Sequence, residues 1–354
     1  MRNSSVLLIL FLLFQLTCTT KLSENGKIPF ASISPRVITD TVKWDTDDPA
    51  IWINSEDPGK SLIVGTDKNE DGALYVFDLD GKIVSIIDSL KRPNNVDIAY
   101  GFPFRGDTLD IAVVTERLKQ RVRVISLPEM KLLDHGDLIV FDGDGKRAPM
   151  GIALYKREKD NAFFIFVGGK SGPEDGYIGQ YRLEEDQMQG KLKIILERQF
   201  GKFSGKKEIE SIAVDAEAGY VYYSDETAGV RKYHADPDVP DANTQLALFA
   251  DQGFAMDNEG ISIYKLDDNK GYILVSDQQA NQFKIYSREG SPGNPHEHLL
   301  LKIVEVTAIE SDGSDVTSVH LSPAFPSGLL VAMSNGKVFH YYSWEDIAGD
   351  DLKK

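Results

Sequence analysis

An all-β ring, a six-bladed β-propeller with four antiparallel strands per blade, is the fold this sequence predicts, on three observations. The first is repetition: SLIVGTDK, DIAVVTER, AFFIFVGGK, GYVYYSDE, GYILVSDQ and GLLVAMSN begin at Ser61, Asp110, Ala162, Gly219, Gly271 and Gly328. Their spacing of about fifty residues suits one propeller blade per repeat. The second is local pattern: each repeat holds short β-branched and aromatic runs bounded by Gly, Asn and Asp, the mark of strands and turns. The third is one strand candidate too many at the N-terminal end and one too few at the other.

Taken blade by blade, the innermost strands are expected at Ala50–Asn54, Val96–Tyr100, Gly151–Tyr155, Ser211–Asp215, Ile261–Tyr264 and Val316–Leu321. These are short and carry small residues, as a crowded axis requires. The third strands are rich in aromatics: Ala73–Asp78, Val122–Ser126, Gly179–Leu183, Val230–Tyr233, Phe283–Ser287 and Val338–Tyr342. Outer strands are expected at Lys82–Asp88, Asp137–Phe141, Lys191–Phe200, Gln245–Phe249 and Leu299–Val306. The sixth repeat has none, whereas Arg36–Lys43 precedes the first repeat unclaimed. Pairing that segment into the last blade as its outer strand closes the ring and removes exposed sheet edges.

The N-terminal residues read as targeting sequence. Arg2 precedes an apolar run from Val6 to Phe14, followed by Gln15-Leu16-Thr17-Cys18. That run is too short for a permanent membrane span and suits a signal peptide over residues 1–18. Cys18 is the only cysteine, so no disulfide staples the mature chain. A lone cysteine there suggests a bacterial lipoprotein, cleaved before Cys18 and lipidated on it, with simple secretion as the alternative. Either way the expected location is extracytoplasmic: the periplasm, an outer-membrane lipid anchor through Cys18, or the medium. Residues 19–34 are expected to be a flexible tether, and 35–354 the propeller, a monomer.

Acidic residues outnumber basic ones 55 to 39, for a formal charge of −16. This argues against nucleic acid or anionic membrane as partner. The acids are not spread evenly. Antiparallel pairing puts the start of each innermost strand and the turn after each second strand on one face. That face collects Asp47, Asp48, Asn94, Asn95, Asp97, Glu208, Glu210, Asp257, Glu259, Asp312 and Asp315 from the strand starts. The turns add Lys68, Arg117, Lys170 and Glu226 in equivalent slots of blades one to four, with Asp67, Glu116, Asp225 and Asp277 beside these slots. Singly, each Asp or Asn is an ordinary turn residue. As a set, carboxylates crowded into one mouth repel one another unless counterions hold them. An oxygen-only, sulfur-free cluster suits hard cations, calcium best.

Lysine and arginine facing bound metal form a grip for phosphate. Other routes to phosphate chemistry are closed. Phe164 stands where a phosphate loop ending in Gly169-Lys170-Ser171 needs its first glycine, the folded domain has no cysteine, and neither Arg-His-Gly nor Gly-x-Ser-x-Gly occurs. A calcium-dependent propeller lactonase remains an alternative, although it has no use for three cations together. So does a non-catalytic lipoprotein binding sugar phosphates.

Asp45-Thr46-Asp47-Asp48-Pro49-Ala50-Ile51-Trp52, followed by Asn94-Asn95-Val96-Asp97-Ile98, resembles the signature of the β-propeller phytases, the alkaline, calcium-dependent 3-phytases. The similarity runs from about Pro35 to Ala348. It implies a six-bladed, calcium-dependent phosphomonoesterase acting on phytate, the hexakisphosphate of inositol, as its calcium complex. It also implies a cleavage site beside a second phosphate site, and direct attack of calcium-activated water without a phosphoenzyme. By the same resemblance Lys68, Arg117 and Lys170 grip phosphate, and Glu210 and Glu259 join them as catalytic residues. Several calcium ions are implied: Asp48 with the backbones of Pro49 and Val96 holds a structural one, while Glu210, Glu226, Asp257, Glu259 and Asp312 hold those at the reacting phosphate. The chain departs from the family pattern at Asn69, where a second lysine is common, at Met150, where a tyrosine is common, and around Glu310-Ser311-Asp312-Gly313. There the acidic loop is shorter, and Asp312 aligns with either of two family aspartates.

Overall fold

In the computed structural model, which describes residues 32–267 and 269–354, the chain forms six four-stranded antiparallel sheets. After a short strand β1 (Val37–Ile38), blade one holds β2 (Thr46–Trp52), β3 (Leu62–Asp67), β4 (Gly72–Phe77) and β5 (Ile83–Leu90). Blade two holds β6 (Pro93–Phe104), β7 (Asp107–Glu116), β8 (Arg121–Leu127) and β9 (Lys131–Leu132). Blade three holds β10 (Pro149–Arg157), β11 (Ala162–Gly169), β12 (Asp175–Asp186) and β13 (Lys191–Lys202). Blade four holds β14 (Ile212–Asp215), β15 (Tyr220–Asp225), β16 (Gly229–His234) and β17 (Ala247–Phe249). Blade five follows with β18 (Asn258–Lys265), β19 (Gly271–Asp277), β20 (Gln282–Ser287) and β21 (Leu300–Glu305). The last blade has β22 (Ser314–Thr317), β23 (Leu329–Ser334) and β24 (Val338–Ser343), with β1 as its outer strand.

The ring closes as the sequence predicts. Val37 pairs with Tyr341 and Ile38 with His340, antiparallel. The contact outlasts the strand: the Thr39 amide donates to the Phe339 carbonyl at 3.0 Å and that of Val42 to Lys337 at 3.0 Å. Outside it, Arg36 forks onto Asp346 at 2.6 and 2.8 Å. Just upstream, Ile33 docks on blade five, its amide donating to the Glu305 carbonyl at 2.8 Å. Residues 1–31, which carry the expected signal peptide, Cys18 and most of the expected tether, lie outside the described residues.

There is no single central core. Each pair of neighbouring blades encloses its own apolar layer, so second and third strands are buried on both sides. In β3, Ile63 faces the layer shared with blade six, beside Phe77 and Phe339. Its neighbour Val64 faces the layer shared with blade two, beside Val96 and Val114. Alternation along a strand sends successive side chains to opposite faces, and here both faces are dry, which is why the second strands read as unbroken apolar runs. A Cβ on Gly65 would run into the Phe339 ring, so the seam closing the ring requires glycine there. The helix α1 (Trp344–Ala348) seals the seam between blades five and six, with Trp344 stacked 3.7 Å from Tyr264.

Around the axis the innermost strands are laced to one another by side chains. Asp315 accepts the Ile51 amide at 2.8 Å, Asp48 the Val96 amide at 3.0 Å and Asp97 the Leu154 amide at 2.6 Å. Ser211 accepts from Ile261 at 2.8 Å, and Ser262 meets Ser314 at 3.3 Å. These bonds join five of the six blade pairs around an axial cavity of about 330 Å³.

One expected strand is misplaced. The outer strand of blade two is β9 at Lys131–Leu132, not Asp137–Phe141, which makes only a single bridge from Ile139 to Arg121. Between them Asp134 takes the Val124 amide at 2.8 Å, and Gly136 turns the chain at φ 81°. A side chain therefore fills the ladder position that a continuous strand would use. The innermost strand of blade six also differs, running Ser314–Thr317 rather than Val316–Leu321.

Candidate active site

One backbone hydrogen bond recurs in all six blades and sets the geometry of the mouth. The residue following the second strand donates its amide to a carbonyl just ahead of the innermost strand. The pairs are Lys68 to Asp45 (2.7 Å), Arg117 to Arg92 (3.0 Å), Lys170 to Arg147 (2.9 Å), Glu226 to Glu208 (3.3 Å), Gln278 to Asp257 (3.3 Å) and Asn335 to Ile309 (2.9 Å). Those six side chains are thus rotational equivalents on one face. Blades one to three supply cations, blade four a carboxylate, and blades five and six amides.

Lys68 reaches across the axis. Its ammonium pairs with Asp47 of its own blade, lies 3.3 Å from Asp312 of blade six and 3.9 Å from Glu210 of blade four. Asn94 of blade two braces this group by donating to Asp47 at 3.0 Å and to Glu210, while accepting from Arg117 at 3.3 Å. Gln278 donates to Asp312. Arg117 is half-buried, and burial together with nearby Arg92 pulls its pKa below the ordinary arginine value. Lys170, half-exposed, pairs with Glu208.

The carboxylates form the other half. Ile209 is fully buried between blades three and four, so alternation throws Glu208 and Glu210 together to its opposite side. Asp257 and Glu259 flank Asn258 in the same way, with Asn258 pinned by Ser224 at 2.7 Å. Two overlapping triplets result, Glu208/Glu210/Glu226 and Glu226/Asp257/Glu259, each with carboxylate oxygens within 4.8 Å of one another. Glu226, Asp257 and Glu259 are only 1%, 2% and 5% exposed. Burial pushes Glu226 up to about 8, with Lys207 opposing and Glu210 reinforcing the shift. Burial, then Glu210 and Glu226, holds Glu259 well above the carboxylate range. Glu226 Oε1, Asp257 Oδ1 and Glu259 Oε2 are buried without a hydrogen bond. Buried oxygens in that state are costly, and a hard divalent cation with many oxygen ligands satisfies them. The residues fit a metal.

The phytase family model matches residues 4–350. The chain belongs to the phytase family. The 3-phytase of Bacillus subtilis (strain 168) is 29% identical over 322 residues, covering 85% of this chain and 80% of that protein. Among solved structures, BBS1N in complex with ARL6DN overlaps with a TM-score of 0.48 at 12% identity, over 83% of this chain and 77% of that one. The β-propeller domain of Cps50 (Swd1) from Myceliophteria thermophila gives 0.47 at 10% identity, over 86% and 85%. Both are too remote to bear on function.

In this phytase-family chain Lys68 and Arg117 meet Glu210 directly or through Asn94, Lys170 meets Glu208, and Glu210, Glu226, Asp257 and Glu259 fall in the two linked triplets. Asp312 does not join the carboxylate triplets; it lies on the Lys68 side. Asp48, Pro49 and Val96 line the axial cavity, apart from both triplets. Met150 is 1% exposed, so this position contributes packing rather than a side chain in the mouth. Asn69 turns back on its own loop, accepting the Asp71 amide at 3.1 Å.

Sequence reasoning passed over Lys207, whose ammonium lies 3.1 Å from Glu226 and 2.7 Å from Asp257. It also left Asp47, Asn94 and Glu208 outside the candidate site set. For Asp47 spacing carried no signal: Asp47 and Asp48 fall where the β2–β3 register shifts between Thr46 and Pro49, and there Asp47 takes Lys68 while Asp48 takes the Val96 amide.

Proposed function

We propose that this protein is a calcium-dependent phosphomonoester hydrolase that releases inorganic phosphate from phytate. The observation that carries this reading is the meeting, on one face, of unpartnered buried carboxylate oxygens with three cations from equivalent slots. Glu208, Glu226, Asp257 and Glu259 would hold the metal. Calcium bound there supplies a Lewis acid for phosphoryl oxygens and lowers the pKa of water at the site.

The chain's own groups do the rest. Lys68, fixed by Asp47, presents a point charge, and Arg117, aimed by Asn94, presents a planar fork to two phosphate oxygens. Lys170 is the most exposed of the three and suits a phosphate at the rim. Water adds its oxygen to phosphorus as the ester P–O bond breaks, and the inositol oxygen leaves with a proton. Glu210 stands between the cationic and carboxylate halves. Its Oε1 is engaged by Asn94, which leaves Oε2 as the atom to take the proton of the attacking water. In the metal-free protein burial raises its pKa, with Lys68 opposing.

The Arg2-to-Phe14 pattern supports export, with Cys18 as the candidate anchor. The deciding test is phosphate release from phytate by purified protein, with calcium and with chelator. We expect release only with calcium; equal release in chelator would overturn the metal dependence, and none under either condition the activity.

A further inference from the structure

We propose that Lys207 is a tethered counter-cation, seated on the Glu226–Asp257–Glu259 cluster in the metal-free protein and displaced when a divalent cation enters. This rests on the reading that these carboxylates hold calcium. The Lys207 ammonium lies 3.1 Å from Glu226 Oε2 and 2.7 Å from Asp257 Oδ2. Among the described residues these are the ion pairs of Glu226 and Asp257, and Glu259 has none. The ammonium therefore occupies the ground a metal must take: Glu226 and Asp257 belong to the triplet whose oxygens lie within 4.8 Å of one another.

Two cations cannot share that space. A dication and an ammonium only a few ångströms apart repel strongly in a partly buried site, so metal entry forces the lysine out. The chain allows it to leave. Lys207 follows Gly205, at φ 74°, and its side chain is 41% exposed, so its flexible stem has solvent to swing into. Lysine suits the role better than arginine because it is a single point charge without a preferred planar partner.

The lysine thus stabilises the empty cluster and weakens its hold on metal. By reciprocity, whatever Lys207 contributes to the metal-free state is subtracted from calcium affinity.

The experiment is calcium titration calorimetry on the metal-stripped full chain, with melting in chelator alongside. Lys207→Gln should bind calcium about five- to tenfold more tightly and melt lower in chelator. Lys206→Gln is the control: its ammonium donates to the Thr227 carbonyl at 3.0 Å, so it removes the same charge one residue away without touching the cluster. It should shift affinity less than twofold. Unchanged or weaker affinity in Lys207→Gln overturns the displacement, as does an equal gain in Lys206→Gln. Glu226→Gln separates this failure from a failure of the underlying reading. If that variant titrates like wild type, the cluster holds no calcium and both fall; if it loses a site while Lys207→Gln matches wild type, only the displacement falls.

Discussion

Replacing Lys68 by methionine separates the structural from the catalytic role of the cationic half. In the folded protein Asp47 is 1% exposed, and beyond Lys68 its side chain keeps, among the described residues, only the Asn94 amide at 3.0 Å. Removing one partner from a buried ion pair costs about 3–5 kcal/mol. Two features reduce that figure here. Asn94 remains, and Asp47, already pushed far up by burial with Lys68 as the main opposing influence, takes up a proton once the lysine is gone. A loss of roughly 2–3 kcal/mol is expected, read from urea unfolding of the calcium-loaded protein at neutral pH. Adding Asp47→Asn to Lys68→Met removes the stranded charge and should recover at least half of the loss. Phosphate release from phytate should fall at least about a hundredfold in both, because the double variant regains stability but not the charge that holds phosphate. Destabilisation below about 1 kcal/mol, a second substitution that adds to the loss, or activity returning with stability would each refute the argument.

Other perturbations test other links. Deleting the chain through Lys43 removes β1 and exposes the edge of β24 with the Phe339–Tyr341 layer; cooperative melting should disappear, and an intact transition would contradict ring closure. Arg117→Ala breaks a single 3.3 Å contact to Asn94, so the unfolding midpoint should hardly move while turnover drops about a hundredfold, measured by phosphate release. In chelator, Glu226 stays protonated in the folded state up to about 8 against an ordinary 4.5. The folded state then binds more protons than the unfolded state between these values, so stability falls as pH rises from about 4.5 to about 8. Calcium should flatten that slope, and melting curves at both ends of the range, with and without metal, read it directly. A metal-free protein that gains stability over the interval would show that Glu226 is already ionised there.

Much of this architecture was legible because propeller geometry writes itself into sequence. Ile63 and Val64 face different apolar layers, so β3 and its five equivalents appear as apolar runs at a fixed interval. The slot after each run is pinned by the same backbone bond, which is why Lys68, Arg117 and Lys170 could be placed on one face from spacing alone. What the period did not encode was lost. The outer strand of blade two failed because Asp134 substitutes a side chain for a strand partner, an interaction with no periodic signature. Lys207 failed for a related reason: it precedes an innermost strand instead of following a second strand, and its role comes from reaching sideways to the start of β18. The division of labour between Asp47, which holds Lys68, and Asp48, which takes the Val96 amide, is set at a shift in the β2–β3 register that spacing does not encode.

The same geometry resolves the apparent conflict between a chain of formal charge −16 and a polyanionic substrate. Net charge governs approach from a distance, and at physiological ionic strength that influence is screened beyond about 8 Å. Within the mouth the arrangement is local and ordered. Blades one to three turn cations inward, blades four and five turn carboxylates inward, and Glu210 touches both halves. A phosphate held between them meets lysine and arginine on one side and metal-ready oxygens on the other. If surface acidity governed binding instead, neutralising acids on the outer strands would improve phytate affinity as much as any change in the mouth. The structure predicts that only changes within reach of Glu210 do so.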